Sequence, residues 1–213
     1  SARVYASMFD EDVILSASKL PFTFGLGNSL MFPLYFGSSV ILNPSAPGPA
    51  EVFPLLQLIT ERRPTLFFAV PSVYNLLLHS LGDSADLASL RLCVSAGEAL
   101  PAALHQRWRR RTGIEIVEGI GSTEALHVYV SNRPGASVPG VTGRPVPGYE
   151  VRLVDEDGRR PPSGAPGGMQ IRGESLATFY LNRPELSATS WPGDGWFDTG
   201  DVFLERDGAY LYQ

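Results

Sequence analysis

Two short stretches carry residue types that can do chemistry. Glu118-Gly-Ile-Gly-Ser-Thr-Glu124 offers glycines for close backbone approach, then hydroxyls, then a carboxylate. That order suits a backbone cradle, a phosphate contact and a metal ligand, since a hard divalent cation takes carboxylate oxygen. Phe197-Asp-Thr-Gly-Asp201 ends in an aspartate expected on a turn, where it can accept bonds from the paired hydroxyls of a ribose. A third stretch, Ser95-Ala-Gly-Glu98, again sets small residues beside an acid. Together they point to a nucleotide site, although each of the loops by itself reads equally well as an ordinary turn.

These residues need a scaffold, and the hydrophobic pattern supplies one. Over residues 40–117 strand and helix alternate. Strands are expected over 40–42, 65–70, 91–95 and 114–117, and helices over 51–63, 71–81 and 101–111. Thr65-Leu-Phe-Phe-Ala-Val70 is a continuous apolar run of the kind found in sheets buried on both faces. Pro71 opens a helix, Pro64 follows one, and Gly82 and Gly113 sit where helices stop. The rhythm predicts parallel β-α-β units, with ligands at the carboxyl ends of the strands. Both Ser95-Ala-Gly-Glu98 and the loop over 119–124 fall there.

Beyond the Pro/Gly-rich run at 133–140 the apolar runs become short and alternating. Those at 149–154, 168–173 and 202–205 are punctuated by turns at 155–158 and 207–208. The expected fold is therefore α/β: a layered parallel subdomain over 1–138, followed by a small antiparallel barrel-like subdomain over 139–213 that carries Asp201.

Composition narrows the functional classes. The 213 residues are 44% hydrophobic and 18% charged, with a net charge of −5 that argues against a nucleic-acid surface. The basic run Arg107-Trp-Arg-Arg-Arg111 fits the last turn of a helix, where cations suit the dipole. Cys93 is the single cysteine and lies in an apolar run, which fits a buried thiol and a reducing, cytoplasmic compartment. No apolar stretch reaches the length of a membrane span, and acids at 10–12 interrupt the start of the chain. Asp155-Glu-Asp-Gly158 has the composition of a metal cluster but reads as a hairpin turn. His79 and His105 sit in expected helices with no partnered acid or cysteine, and carry no assigned role.

The ordered series Ser95-Ala-Gly-Glu-Ala-Leu-Pro101, Glu118-Gly-Ile-Gly-Ser-Thr-Glu124, Gly143-Arg-Pro-Val-Pro-Gly148, Gly168-Met-Gln-Ile-Arg-Gly173, Tyr180-Leu-Asn-Arg-Pro-Glu185 and Trp196-Phe-Asp-Thr-Gly-Asp201 resembles the adenylate-forming superfamily of acyl- and aryl-CoA synthetases. Within it, Lys19-Leu-Pro-Phe-Thr-Phe-Gly-Leu-Gly-Asn28, Gly121-Ser-Thr-Glu-Ala-Leu-His-Val128 and Ser131-Asn-Arg-Pro134 are most similar to benzoate-CoA ligases. The resemblance implies an ATP-dependent ligase that joins benzoate or a substituted benzoate to AMP, releases pyrophosphate, and transfers the acyl group to coenzyme A.

It also implies roles. Thr123 would bond the α-phosphate, Glu124 would ligate Mg²⁺, and Asp201 would hold the ribose hydroxyls. Gly97, Glu98, Glu118, Gly119 and Ile120 would form the adenine slot, with Gly121 beside them also binding the nucleotide. Many relatives carry an aromatic where Ile120 stands, so aliphatic contact with adenine is expected, and Glu118 stands where they commonly have Asp or Asn. Thr23, Phe24, Ala96, Gly121, His127 and Val128 would line an aryl slot, with Thr23 offering a hydroxyl to a hydroxy or amino ring substituent. Relatives carry a Lys-ended phosphate loop upstream of such a segment and a mobile domain downstream, so an internal piece is expected, poorly active alone and prone to self-association. Two alternatives stay open. One is an aryl-activating domain that loads a carrier protein in a polyketide or nonribosomal peptide pathway; the other is a non-catalytic nucleotide-binding remnant.

Overall fold

The computed structural model describes residues 7–45, 48–82 and 86–213. Seven strands form one sheet in the order β2-β1-β3-β4-β5-β6-β7: β1 (Val13–Ser16), β2 (Ser39–Ile41), β3 (Leu66–Ala69), β4 (Leu92–Ser95), β5 (Ile116–Gly121), β6 (Val128–Ser131) and β7 (Arg144–Pro145). The first five pair in parallel, whereas β6 and β7 add antiparallel. Strand β3 is buried throughout, as its unbroken apolar run predicts.

Successive residues along these strands alternate between two cores, because side chains on a strand point to opposite faces. Leu15, Phe67, Cys93 and Ile116 pack beneath α3 (Val52–Arg62), α4 (Pro71–Ser80) and α5 (Ala102–Thr112), joined by Leu55, Ile59, Tyr74, Leu77 and Trp108. Ile14, Leu66, Phe68, Val94 and Val117 face the other way, against Phe24, Phe32 and Phe36. The helix ends follow local chemistry. Pro71 occupies the first turn of α4, and α5 stops at Gly113 in the left-handed conformation with φ of 75°. Arg109, Arg110 and Arg111 lie in the last turn of α5, and Trp108 just before them is fully buried.

The second sheet is four-stranded and antiparallel, ordered β11-β10-β9-β8, from β8 (Tyr149–Val154), β9 (Gly167–Gly173), β10 (Phe197–Arg206) and β11 (Ala209–Tyr212). Asp207 and Gly208, both at positive φ, close the β10–β11 hairpin. Asp155 turns its carboxylate onto the backbone amides of Asp157 and Arg159, so it is spent on a turn. Gly143 pins the two sheets together. Its backbone pairs with Tyr210, while a Cβ there would sit 2.0 Å from the carbonyl carbon of Ser131. Only glycine fits, and its φ of 126° says the same.

The structure departs from the sequence reading in places. Strand β5 extends past Val117 to Gly121 because β6 pairs with it, so the expected loop over 119–124 is half strand. Asp201 lies within β10 rather than on a turn; a register shift between Asp198 and Val202, with Gly200 at φ of 76°, kinks the strand around it. Strand β1, the segment α1 (Thr23–Leu26), a wide π-turn over Gly27–Met31 and α2 (Phe32–Phe36), and α6 (Pro184–Ser190) were not anticipated.

Candidate active site

Strand β5 delivers the first functional stretch and β6 turns it back. A Cβ on Gly121 would lie 2.6 Å from the carbonyl oxygen of His127, and one on Gly119 would lie 2.9 Å from Val128 Cγ1. Both positions therefore need glycine for the backbone to close. The intervening turn is built from its own atoms. The amide of Leu126 donates to the carbonyl of Thr123 at 3.1 Å, and that of Ala125 to Ser122 Oγ at 3.3 Å. Thr123 is left exposed at the tip, and Glu124 is partly buried behind it.

Two cavities meet here. The larger, about 630 Å³, is lined by Thr23, Phe24, Ala96, Gly97, Gly121, Thr123, His127 and Val128, with Lys19 and Glu51 also on its wall. The smaller, about 180 Å³, is lined by Gly97, Glu98, Glu118, Gly119, Ile120, Gly121 and Asp201. Gly97 and Gly121 line both, so these two residues form the boundary the cavities share, here called the neck. Gly97 has φ of 90°, which keeps the neck's backbone in a region few other residues tolerate.

The larger cavity is aromatic on one side. His127 is 6% exposed and stands between Phe24, 5.4 Å away between ring centroids, and Phe32, 4.7 Å away edge to face. Gly27 admits the imidazole, since a Cβ there would come within 2.4 Å of its Cδ2. Burial pushes the His127 pKa down to about 4, against a raising hydrogen bond with the Phe24 backbone. The ring is therefore neutral at pH 7 and serves as a flat wall.

Acids dominate the smaller cavity. Burial raises Glu118 to about 7, opposed by the Leu100 amide that donates to its Oε1 at 3.1 Å. Glu98 is held at the start of α4, where the Ser72 hydroxyl donates to Oε1 at 3.1 Å and the Ser72 amide to Oε2 at 3.3 Å. Asp201 is raised by burial, with Asp198 nearby adding to it and a hydrogen bond with Thr199 opposing it. Its carboxylate faces the same cavity as Glu118 and Gly119.

Every residue expected at the site lines one of the two cavities except Glu124, which stands behind Thr123 with Tyr180 donating to its Oε1 at 2.7 Å. The sequence reading did not include Thr142, Phe203 and Tyr212 of the smaller cavity, nor Tyr180. Phe203 and Tyr212 face each other at 5.4 Å edge to face and give that cavity aromatic surface that Ile120 does not. The alternating pattern of β10 and β11 carries them, but nothing in that pattern says which strand end meets β5. Among the described residues, no group of three or more His, Cys, Asp or Glu side chains is disposed to hold a metal. A divalent cation at Glu124 would therefore complete its shell with ligand oxygens, the usual habit of Mg²⁺ beside phosphates.

Residues 1–181 match the AMP-binding enzyme family. The chain belongs to that family. It is 44% identical to the benzoate–CoA ligase of Thauera aromatica over 99% of this chain and 40% of that protein. The crystal structure of the anthranilate CoA ligase AuaEII in complex with anthranoyl-AMP superposes with a TM-score of 0.93 at 42% identity, over 99% of this chain and 40% of that one. A benzoate CoA ligase from Burkholderia xenovorans LB400 gives 0.91 at 41% identity, over all of this chain and 43% of that one. The chain thus spans about 40% of the length of the relatives it matches. Its fold is shared with these ligases: a mixed sheet with a parallel core, followed by a curled antiparallel sheet.

Proposed function

We propose that this AMP-binding chain is the activating core of an aryl-CoA ligase, with the larger cavity holding the ring of a benzoate or substituted benzoate and the smaller one the adenosine of ATP. The observation that carries this is that Gly97 and Gly121 line both an aromatic-walled cavity and an acidic one containing Asp201. A planar aryl adenylate has two ends suited to them. The anthranoyl-AMP bound by AuaEII, 42% identical, is such a ligand.

In this reading a carboxylate oxygen of the acid bonds to the α-phosphorus while the bond to pyrophosphate breaks. A thiolate sulfur then bonds to the acyl carbon and AMP leaves. Thr123 donates its hydroxyl to the α-phosphate, where a fixed donor stabilises developing charge. Asp201 accepts both ribose hydroxyls, Glu118 and Ile120 meet the adenine with Phe203 and Tyr212 opposite, and Phe24, Ala96, His127 and Val128 flank the ring. Glu124 would hold Mg²⁺, which neutralises phosphate charge when bound. Residues 1–138 serve as the acyl and nucleotide unit and 139–213 as the ribose-holding unit. The reading places the protein in the cytoplasm, where ATP and coenzyme A are supplied. Exposed Leu34, Tyr35 and Phe53 favour self-association.

The test is ATP–pyrophosphate exchange by the full-length protein that carries this chain, run with benzoate, hydroxybenzoates, aminobenzoates and a long-chain fatty acid. Exchange with the aryl acids and none with the fatty acid supports the reading; the reverse order overturns it. Thioester formation with free coenzyme A separates a CoA ligase from a domain that loads a carrier protein.

A further inference from the structure

The geometry points to Tyr180 as a positioning residue that fixes the Glu124 carboxylate for a divalent cation, an inference resting on the nucleotide reading above. The two residues are far apart in the chain, and Tyr180 lies outside both cavities. Its hydroxyl nevertheless donates to Glu124 Oε1 at 2.7 Å. Among the described residues, Oε2 of the same carboxylate takes no donor, so it is the oxygen left for a cation.

The segment bearing Tyr180 is tied to the Glu124 turn at several points. The amide of Ala177 donates to the Glu124 carbonyl at 2.7 Å. Ser175 Oγ and the Tyr149 hydroxyl both donate to the carbonyl of Ala125, at 3.2 and 2.8 Å. Tyr180 is itself fixed. Its amide donates to Ser187 Oγ at 2.8 Å, and its ring meets Trp191 edge to face at 5.1 Å. Trp191 in turn packs on Phe197 at 4.8 Å, at the start of the strand that carries Asp201. One contiguous run of contacts therefore links the metal-ligand candidate on the large sheet to the ribose-binding candidate on the small one. A phenol is an uncharged donor at neutral pH, so it orients the carboxylate without cancelling its charge.

Groups that hydrogen-bond a ligating side chain usually matter about 10- to 100-fold in metal affinity. The test is calorimetric titration of the full-length protein that carries this chain with ATP at graded Mg²⁺, comparing wild type, Tyr180→Phe, Glu124→Gln and the double variant. Tyr180→Phe should raise the Mg²⁺ concentration giving half of the metal-dependent gain in ATP affinity by roughly 10-fold or more. Its ATP affinity in EDTA should stay within about twofold of wild type. In the Glu124→Gln background the second substitution should add nothing. A wild-type Mg²⁺ midpoint in Tyr180→Phe overturns the inference while leaving the nucleotide site standing. Wild type showing no ATP binding at any Mg²⁺ level overturns the site reading and this inference with it. Should Tyr180→Phe fail to fold, Trp191→Leu carries the test, because it frees the ring yet keeps the hydroxyl; an unshifted midpoint there counts equally against the inference.

Discussion

At the residue scale, Glu118 is a site carboxyl whose buried surroundings work against its charged form. Its pKa of about 7, raised from 4.5 by burial, means the folded chain binds a proton more tightly than the unfolded one. The stability this proton confers is fully present below pH 4.5 and disappears as pH rises through about 7. Glu118→Gln, which keeps the acceptor for Leu100, should therefore raise the melting temperature most at pH 8 and little at pH 4.5. The free-energy gain at pH 8 should be on the order of 3 kcal/mol, and thermal melts across that range check it. His127 titrates near pH 4, so aryl ligand affinity should show no step between pH 5.5 and 8 that His127→Asn removes. The residue types at 118–124, 127 and 201 were legible in the sequence because their chemistry is local. Tyr180, Phe203 and Tyr212 were not, because what matters about them is which distant strand or turn they meet.

At the element scale, Gly119 and Gly121 decide whether β5 and β6 can close. Gly121→Ala would push a methyl to within 2.6 Å of the His127 carbonyl oxygen, and that oxygen belongs to rigid backbone. The variant should lose about 1–3 kcal/mol of stability and bind an aryl adenylate at least tenfold more weakly, measured by urea unfolding and calorimetry. Unchanged affinity would show that the neck does not shape the ligand. Strands β3 and β4 and helices α3 to α5 could be read from apolar runs and from Pro and Gly at their ends. The segment from α1 to α2 could not. It starts at Phe22 without a side-chain cap, contains Gly25 and runs into a π-turn at residues 27–31, where Gly27 leaves room for the His127 ring. Strand β6 was hidden for another reason: four residues follow a tight turn whose closure depends on contacts, not on periodicity.

At the scale of the whole molecule, one ion pair ties the outer part of the large sheet to its centre. Asp12, 4% exposed, receives Arg91 at both oxygens, at 2.8 and 2.5 Å, together with the Thr65 hydroxyl and the Phe9 amide. Burial works against its ionised form, but these bonds prevail and its pKa falls below 3.8. Its contribution is therefore present above pH 3.8 and lost as pH falls through the folded-state value. Asp12→Asn should cost about 2 kcal/mol at pH 7, less than a fully buried pair because Arg91 is 35% exposed. The cost should shrink in unfolding curves taken toward pH 3. The two-sheet architecture was visible from the change of pattern near residue 140, but the pinning of one sheet to the other at Gly143 was not, since it depends on Tyr210 and Ser131 arriving from opposite directions. That pinning brings Asp201 to the cleft beside β5, and the central claim depends on it. Calorimetry with a non-hydrolysable benzoyl-adenylate analogue tests it most directly: the wild-type chain should bind in a one-to-one complex, and Asp201→Ala should weaken binding at least tenfold with the fold intact. Equal binding by both, or none by the wild type, would contradict the account.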